Sequence, residues 1–506
     1  MSDLPDVCLV LEGTYPYVPG GVSSWVHQLV TQMPELRFSV LHISPHRGFF
    51  DKHAYALPDN VVGLAETFLQ RDERARPRHD LDRREATFVR AFCQFTECFA
   101  TSDVHGIEPL AAALNVCGGT PPPSGASLLS QPFWRELVER YEEEAGSQSF
   151  QSFFWNWMFL HEPLIDTLRV PIPRARAYHT VSTGYAGYLA ALAKLRFGAP
   201  MILTEHGIYT KERRIEIATA AWIPESREGR ALLDVTAPYF KKMWNRHFAM
   251  LSRTCYAHAD RIFTLYGGNK TEQIRDGADA DKIEVVPNGI DVARFQATAE
   301  RHRARGEDAP FTVGFVGRVC PIKDVRTFIA AMRLVADVVP TLRVRVLGPT
   351  QEDPEYAEDC KHLAGELGLG DNVAFEGKKN LAEELHDLDV LVLTSISEAQ
   401  PLVVLEAGAV GVPVVSTDVG CCRELLEGRT AEDRALGPGG RLTPIASPGA
   451  TARAVLELYA DADMRRSMGE SLKQRVVRFY SQSAMIETYR QIYTDMVRRG
   501  RAQGAA

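Results

Sequence analysis

Residues 7–43 read "VCLVLEGTYPYVPGGVSSWVHQLVTQMPELRFSVLHI". The run Val7–Leu11 is continuously apolar, which suits a strand covered on both faces in a parallel sheet. A loop rich in Gly and Pro follows, and residues 22–33 then space their apolar side chains as a helix does. Phe38–Ile43 reads as a second strand. Strand, loop, helix and strand in that order open a doubly wound α/β domain.

The rhythm breaks over residues 45–175, where aromatic helical runs such as "FVRAFCQFTECF" (88–99) and "SFFWNWMFL" (152–160) surround "GGTPPPSG" (118–125). This stretch reads as a helical insertion, its aromatics Phe153, Phe154, Trp155 and Trp157 suiting a core or, as the second choice, an interface. Strand patterns resume at 177–182, 201–207, 261–266 and 283–291. A second α/β series begins at "FTVGFVGR" (311–318) and continues through strands near 342–348, 373–377, 389–395 and 413–417, with helical patterns at 448–461 and 481–498. The expected division is a Rossmann-like acceptor-side domain over 1–295, a Rossmann-like nucleotide-sugar domain over 296–480, and a helix over 481–506 crossing back to the first. At roughly 100–200 residues per domain, 506 residues suit such a count.

Composition excludes several classes. With 57 basic against 65 acidic residues the formal net charge is -8, which argues against a nucleic-acid binder. Nine scattered cysteines without Cys-x-x-Cys fit reduced thiols in the cytoplasm rather than a disulfide framework. No apolar run reaches the ~18 residues that span a bilayer. The N-terminus lacks a basic, cleavable leader. A cytoplasmic protein is expected, recruited to the inner membrane only through partners.

Four clusters at strand ends carry chemistry. Gly20 and Gly21 precede a helix, whose amides and positive end receive an anion; a tight turn explains them equally well. In "GRVCPIKD" (317–324), Arg318 and Lys323 stand where a phosphate chain approaches a helix start. In "SEAQPLVVLEAGAVG" (397–411), Glu398 precedes Pro401 and a helix beginning near Leu402, and Glu406 is the sole charge on that apolar segment. A carboxylate so placed needs hydrogen-bond donors, and vicinal sugar hydroxyls supply them. Finally, His206 follows a strand in "TEHG", while His179, inside a strand pattern, reads as a core residue. No zinc-ligand spacing, P-loop or G-x-G-x-x-G occurs, and Asp387-Leu-Asp389 reads as a helix-to-strand connection rather than a metal site.

Taken in order, Gly-Gly, G-R-x-x-x-x-K-D and E-x7-E after S-E-x-x-P resemble the retaining GT-B glycosyltransferases of family 4, and within them the Pel-type exopolysaccharide enzymes. The resemblance implies two Rossmann-like domains facing across a cleft and metal-independent transfer of a hexose from a UDP-sugar to a polysaccharide acceptor. It implies membrane-bound Pel synthase components as partners and no cofactor. It gives Arg318 and Lys323 the diphosphate, Glu398 the sugar, Glu406 the ribose, Gly20 and Gly21 a phosphate, and His206 the reacting sugar, with Pro401 and Leu402 also among the nucleotide-sugar-binding residues. In "DVGCCRELL" (418–426), Cys421 replaces a second glycine usual in the family. Two other readings stand beside this one: a nucleotide-sugar epimerase, and a nucleotide-sugar-binding scaffold of a membrane synthase.

Overall fold

The computed structural model describes residues 4–70, 81–223, 239–306 and 309–503. Two compact units emerge: residues 1–264, 270–284 and 489–506 form the first, and residues 265–269 and 285–488 the second. The change of unit falls at 284/285, earlier than the 295/296 expected from the polar linker. The final helix, Gln482–Gln503, contributes its residues from Tyr489 onward to the first unit.

The first unit is built on seven strands: β1 Val7–Glu12, β2 Phe38–Ser44, β3 Val61–Phe68, β4 Ala177–Thr180, β5 Met201–Glu205, β6 Arg261–Thr264 and β7 Ile283–Val285. Their order is β3-β2-β1-β4-β5-β6-β7, with parallel pairing from β3 through β6. Because β1 pairs with both β2 and β4, the chain reverses its direction of travel across the sheet there. That is the place where open α/β sheets bind ligands.

The expected insertion is less uniform than its aromatic runs suggest. It begins with β3, an edge strand, VVGLAETF, that Val62 and Gly63 leave partly exposed. The rest is five helices, Arg83–Thr101, Ile107–Val116, Ser124–Leu128, Gln131–Glu144 and Phe150–Asp166. Their inward side chains share one core with the sheet: Phe88, Phe92, Phe133 and Trp157 belong to the same buried cluster as Val10 and Leu189. Phe95 stacks on Tyr188 at 5.7 Å between centroids. The aromatic run divides by helical face, Phe153 and Trp157 being buried and Trp155 half exposed.

The second unit holds six parallel strands: β8 Thr312–Val316, β9 Arg343–Leu347, β10 Val373–Gly377, β11 Val390–Leu393, β12 Val414–Thr417 and β13 Gly440–Thr443. Their order is β10-β9-β8-β11-β12-β13, so the reversal lies between β8 and β11. A helix that the sequence reading missed, Ala462–Phe479, lies between the two expected C-terminal ones. Its Leu472 and Val476 pack so tightly on Gly408 of the Leu402–Val410 helix that a Cβ there would come within 2.8 Å of both. The same helix buries Arg475 completely, where its Nε donates to Asp433 Oδ1 at 2.5 Å and its Nη atoms to the carbonyls of Leu426 and Gly437. No helix among the described residues is long and apolar enough to cross a membrane.

A buried guanidinium that loses its carboxylate keeps its desolvation cost, typically about 3–5 kcal/mol. Asp433→Ala is therefore expected to lower the unfolding free energy by about that amount, read from the denaturant midpoint of the second unit's transition.

Candidate functional site

In the second unit the residues of interest gather at the carboxyl edge of the sheet, on either side of the β8/β11 reversal. β8 ends at Val316, and the following loop carries Arg318, a 3-10 turn over Pro321–Lys323, and Asp324, whose side chain accepts from the Thr327 amide to cap the Val325–Ala336 helix. From the end of β11, Thr394 Oγ1 donates to the carbonyls of Lys323 and Asp324, and the Ile396 amide donates to Ile322. These bonds stitch the loop bearing the two cations to the loop bearing Glu398.

Glu398 and Lys323, 75 residues apart in sequence, form an ion pair at 2.5 Å, both largely buried. The carboxylate is engaged through one oxygen: Oε1 accepts from Lys323 Nζ and from Ser395 Oγ at 2.6 Å. Among the described residues no hydrogen bond is made to Oε2. Arg318 is half exposed and pairs with Glu352, a partner that no motif announced.

The Glu398 loop is held from below by a turn that only glycine allows. Gly420 has φ +57°, and a Cβ on it would lie 2.3 Å from the Glu398 carbonyl oxygen. Next to it, the Cys421 amide donates to the Ala399 carbonyl at 2.9 Å. The backbone at the substituted glycine position is thus committed to shaping the Glu398 loop.

Pro401 caps the Leu402–Val410 helix with backbone φ -73°, and no side chain caps the helix start. The Val404 amide turns back to the Pro401 carbonyl at 3.1 Å, which leaves the Leu402 and Val403 amides at the carboxyl edge. Glu406 is half buried on this helix and has no hydrogen-bond or ion-pair partner among the described residues. Burial raises its pKa above the usual carboxylate range, an effect that the charge of Arg294 partly offsets.

In the first unit, Gly20 and Gly21 open the Gly21–Gln32 helix after β1. Gly20 has φ 170°, extended backbone open to any residue, and a Cβ on either glycine would meet nothing within 4 Å. The tight-turn explanation therefore loses its ground. The helix has neither a side-chain cap nor an acid in its first turn.

His206 follows β5 and is buried with its ring edge-on to Trp25 at 4.7 Å. Burial lowers its pKa to about 4, leaving a neutral imidazole at pH 7. His179, as expected, is a core residue: its ring bonds Tyr493 at 2.7 Å and Thr204 at 2.9 Å.

The sequence reading passed over Glu205, the neighbour of His206. It is buried and accepts from the Tyr209 amide, Tyr256 and Gln273 at 2.7–3.0 Å. Among the described residues one metal-capable trio is also brought together, His105, Glu108 and His258, which linear spacing did not reveal. Asp389, the second acid of the D-x-D, accepts from Arg305 and the Thr312 amide at the opposite strand edge.

The first unit's sequence matches a family described as a domain of unknown function, DUF3492, over residues 5–281, and residues 310–461 match the family "Glycosyl transferases group 1". The first match takes in more than half of the chain, so the protein belongs to the DUF3492 family, and it carries a group 1 glycosyl transferase domain after it. It is 32% identical over 239 residues to a D-inositol 3-phosphate glycosyltransferase of Corynebacterium urealyticum, 44% of this chain and 54% of that protein. It is 27% identical over 337 residues to the Streptomyces coelicolor protein of the same name, 61% of this chain and 66% of the other. The matched stretch is thus less than two thirds of either relative. Among solved structures, Anabaena HepE in complex with UDP and glucose aligns with TM-score 0.56 at 13% identity, over 97% of this chain and 99% of that one. Sucrose-phosphate synthase from Thermosynechococcus elongatus aligns with TM-score 0.57 at 17% identity, over 97% and 98%. The two doubly wound parallel sheets are those of the GT-B class.

Burial, eased by its three donors, raises the Glu205 pKa from 4.5 to about 7. Between those values the folded protein holds a proton that the unfolded chain has released, so this group's contribution to stability falls as pH rises from about 4.5 to 7. The difference in unfolding free energy between wild type and Glu205→Gln should carry that slope and be flat outside the window.

Proposed function

We propose that this protein is a retaining glycosyltransferase that moves a hexose from a UDP-sugar, UDP-glucose or another UDP-hexose, to a growing exopolysaccharide of the Pel type. The observation that carries this reading is the gathering of Arg318, Lys323, Glu398, the uncapped Leu402 helix and Glu406 at one sheet reversal. It combines cations for a diphosphate with carboxylates for hydroxyl groups. The UDP complex of the HepE neighbour supports a uridine nucleotide.

Each side chain has a role suited to its state. Glu398 Oε2 accepts from a hydroxyl of the donor sugar while Oε1 stays on Lys323 and Ser395. Lys323 lies against the β-phosphate, and Arg318 exchanges Glu352 for phosphate oxygens, gaining a charge-assisted bond of about 1.5–3 kcal/mol. Glu406 accepts from the ribose diol, which satisfies a carboxylate that the chain itself leaves unpartnered. As the sugar–phosphate bond breaks, negative charge grows on the leaving diphosphate, and prearranged cations and amides stabilise it more than the ground state. In the first unit, the open helix start at Gly20 and Gly21 suits a phosphate, and the neutral His206 can lie beside an anomeric carbon that gains positive character. No resident metal or cofactor enters this scheme. Membrane-bound synthase components would bring the acceptor, and the half-exposed Trp155 of the insertion is a candidate contact for them.

Titration calorimetry with UDP, GDP, ADP and NAD, followed by a UDP-sugar panel, tests the reading. UDP and one UDP-sugar should bind, with affinity reduced about tenfold or more by Arg318→Ala or Glu406→Ala, since each removes a bond of about 1.5–3 kcal/mol. Conversion of the bound UDP-sugar without an acceptor would instead identify an epimerase. Binding with no polymer output from either wild type or Glu398→Ala would leave a scaffold.

Glu406 also sets a pH dependence. A protonated carboxyl cannot accept from both ribose hydroxyls, so UDP affinity should fall with falling pH, and at higher pH than an ordinary glutamate would give. The same titration on Glu406→Gln should lose that inflection.

A further inference from the structure

At the edge of the second sheet where the strands begin, a cavity of about 800 Å³ opens beside Phe311, Asp389 and Pro413, the residues that lead into β8, β11 and β12. This is the edge opposite Glu398. Its size falls in the range of small-molecule pockets, about 300–1,000 Å³.

Among the described residues its charge is one-sided: Arg303, Arg305, Arg465, Arg466 and Lys473 line it against two carboxylates, Asp389 and Glu470. Asp389 is committed to Arg305 at 2.7 Å and to the Thr312 amide, and Glu470 accepts from Gln474. Arg466 reaches outside the lining to Asp463. Arg303 and Lys473 have no acidic partner among the described residues. Such a surplus in a chain of net charge -8 is local, and a concave surface concentrates its field.

A further feature points to a ligand rather than to a solvated face, for the cavity has an aromatic wall. The Arg465 guanidinium lies 5.4 Å from the Phe311 ring centre, and Tyr459, 41% exposed, meets Phe311 edge-on at 5.0 Å. Fork-shaped donors beside an exposed ring are the means by which proteins hold a phosphate together with the ring attached to it.

We propose that this cavity is a second ligand site, distinct from the UDP-sugar site, that binds a phosphate monoester carried on a ring, with Arg303 and Lys473 on the phosphate and Tyr459 against the ring. The bearer is either a soluble sugar phosphate or a phosphorylated lipid headgroup.

The test is titration of the full chain, with excess UDP present, using glucose 6-phosphate, inorganic phosphate, and phosphatidylcholine vesicles with and without phosphatidylinositol 4-phosphate. Saturable binding of glucose 6-phosphate, weakened at least tenfold in Arg303→Ala/Lys473→Ala, is expected and assigns a soluble ligand. Tyr459→Ala should weaken glucose 6-phosphate and leave inorganic phosphate unchanged. Binding confined to the phosphatidylinositol 4-phosphate vesicles, and lost in the same double variant, assigns the lipid source. Failure of all three probes, or equal affinity in wild type and a double variant with unchanged unfolding midpoint and UDP affinity, overturns the proposal.

Discussion

A parallel strand must be covered on both faces, and its chain must return to the same end of the sheet before it can pair again. Everything chemical in this molecule follows from that constraint. Each return, through a helix everywhere but between β2 and β3, brings the chain back to the same end, so every loop after a strand opens at one edge and every loop before a strand at the other. The edge after the strands receives Arg318, Lys323, Glu398 and the start of the Leu402 helix in one unit, and Gly20, Gly21 and His206 in the other. The edge before them receives the basic cavity.

The same constraint explains what could be read directly. β1 announced itself as an unbroken apolar run, and β8 as a largely apolar one, because both faces are buried. The motifs following them are short, and a loop of eight residues keeps its meaning wherever it is folded. β3 was illegible because Gly63 interrupts its short apolar run and Glu66 and Thr67 end it. The Ala462–Phe479 helix was missed because its long polar face masks a narrow buried stripe of Met468, Leu472 and Val476.

Pairings between distant segments were the least legible part of the candidate site. That Lys323 and Glu398 hold one another, and that Glu352 occupies Arg318, depends on which strands lie adjacent, and adjacency is a property of the sheet order. Glu205 was hidden for a different reason. A glutamate at a strand end reads as solvated, and only the arrival of Tyr256 and Gln273 from other elements makes it a buried one. Cys421 stood out in the sequence only as a replacement for a family glycine, and the fold shows its amide serving the Ala399 carbonyl.

The bond between His179 and Tyr493 spans 314 residues, and Thr204 meets Tyr489 across 285. Both aromatic partners come from the stretch after the whole second unit. A ribosome emits the chain in order, so β4 and β5 emerge long before the tyrosines that close over them. During synthesis the first sheet must wait, with an imidazole in its interior still lacking the phenol that accompanies it, while some 200 residues of the second unit are made. The last turns of the chain act as a latch, and completion of the first unit reports that translation has passed through the second.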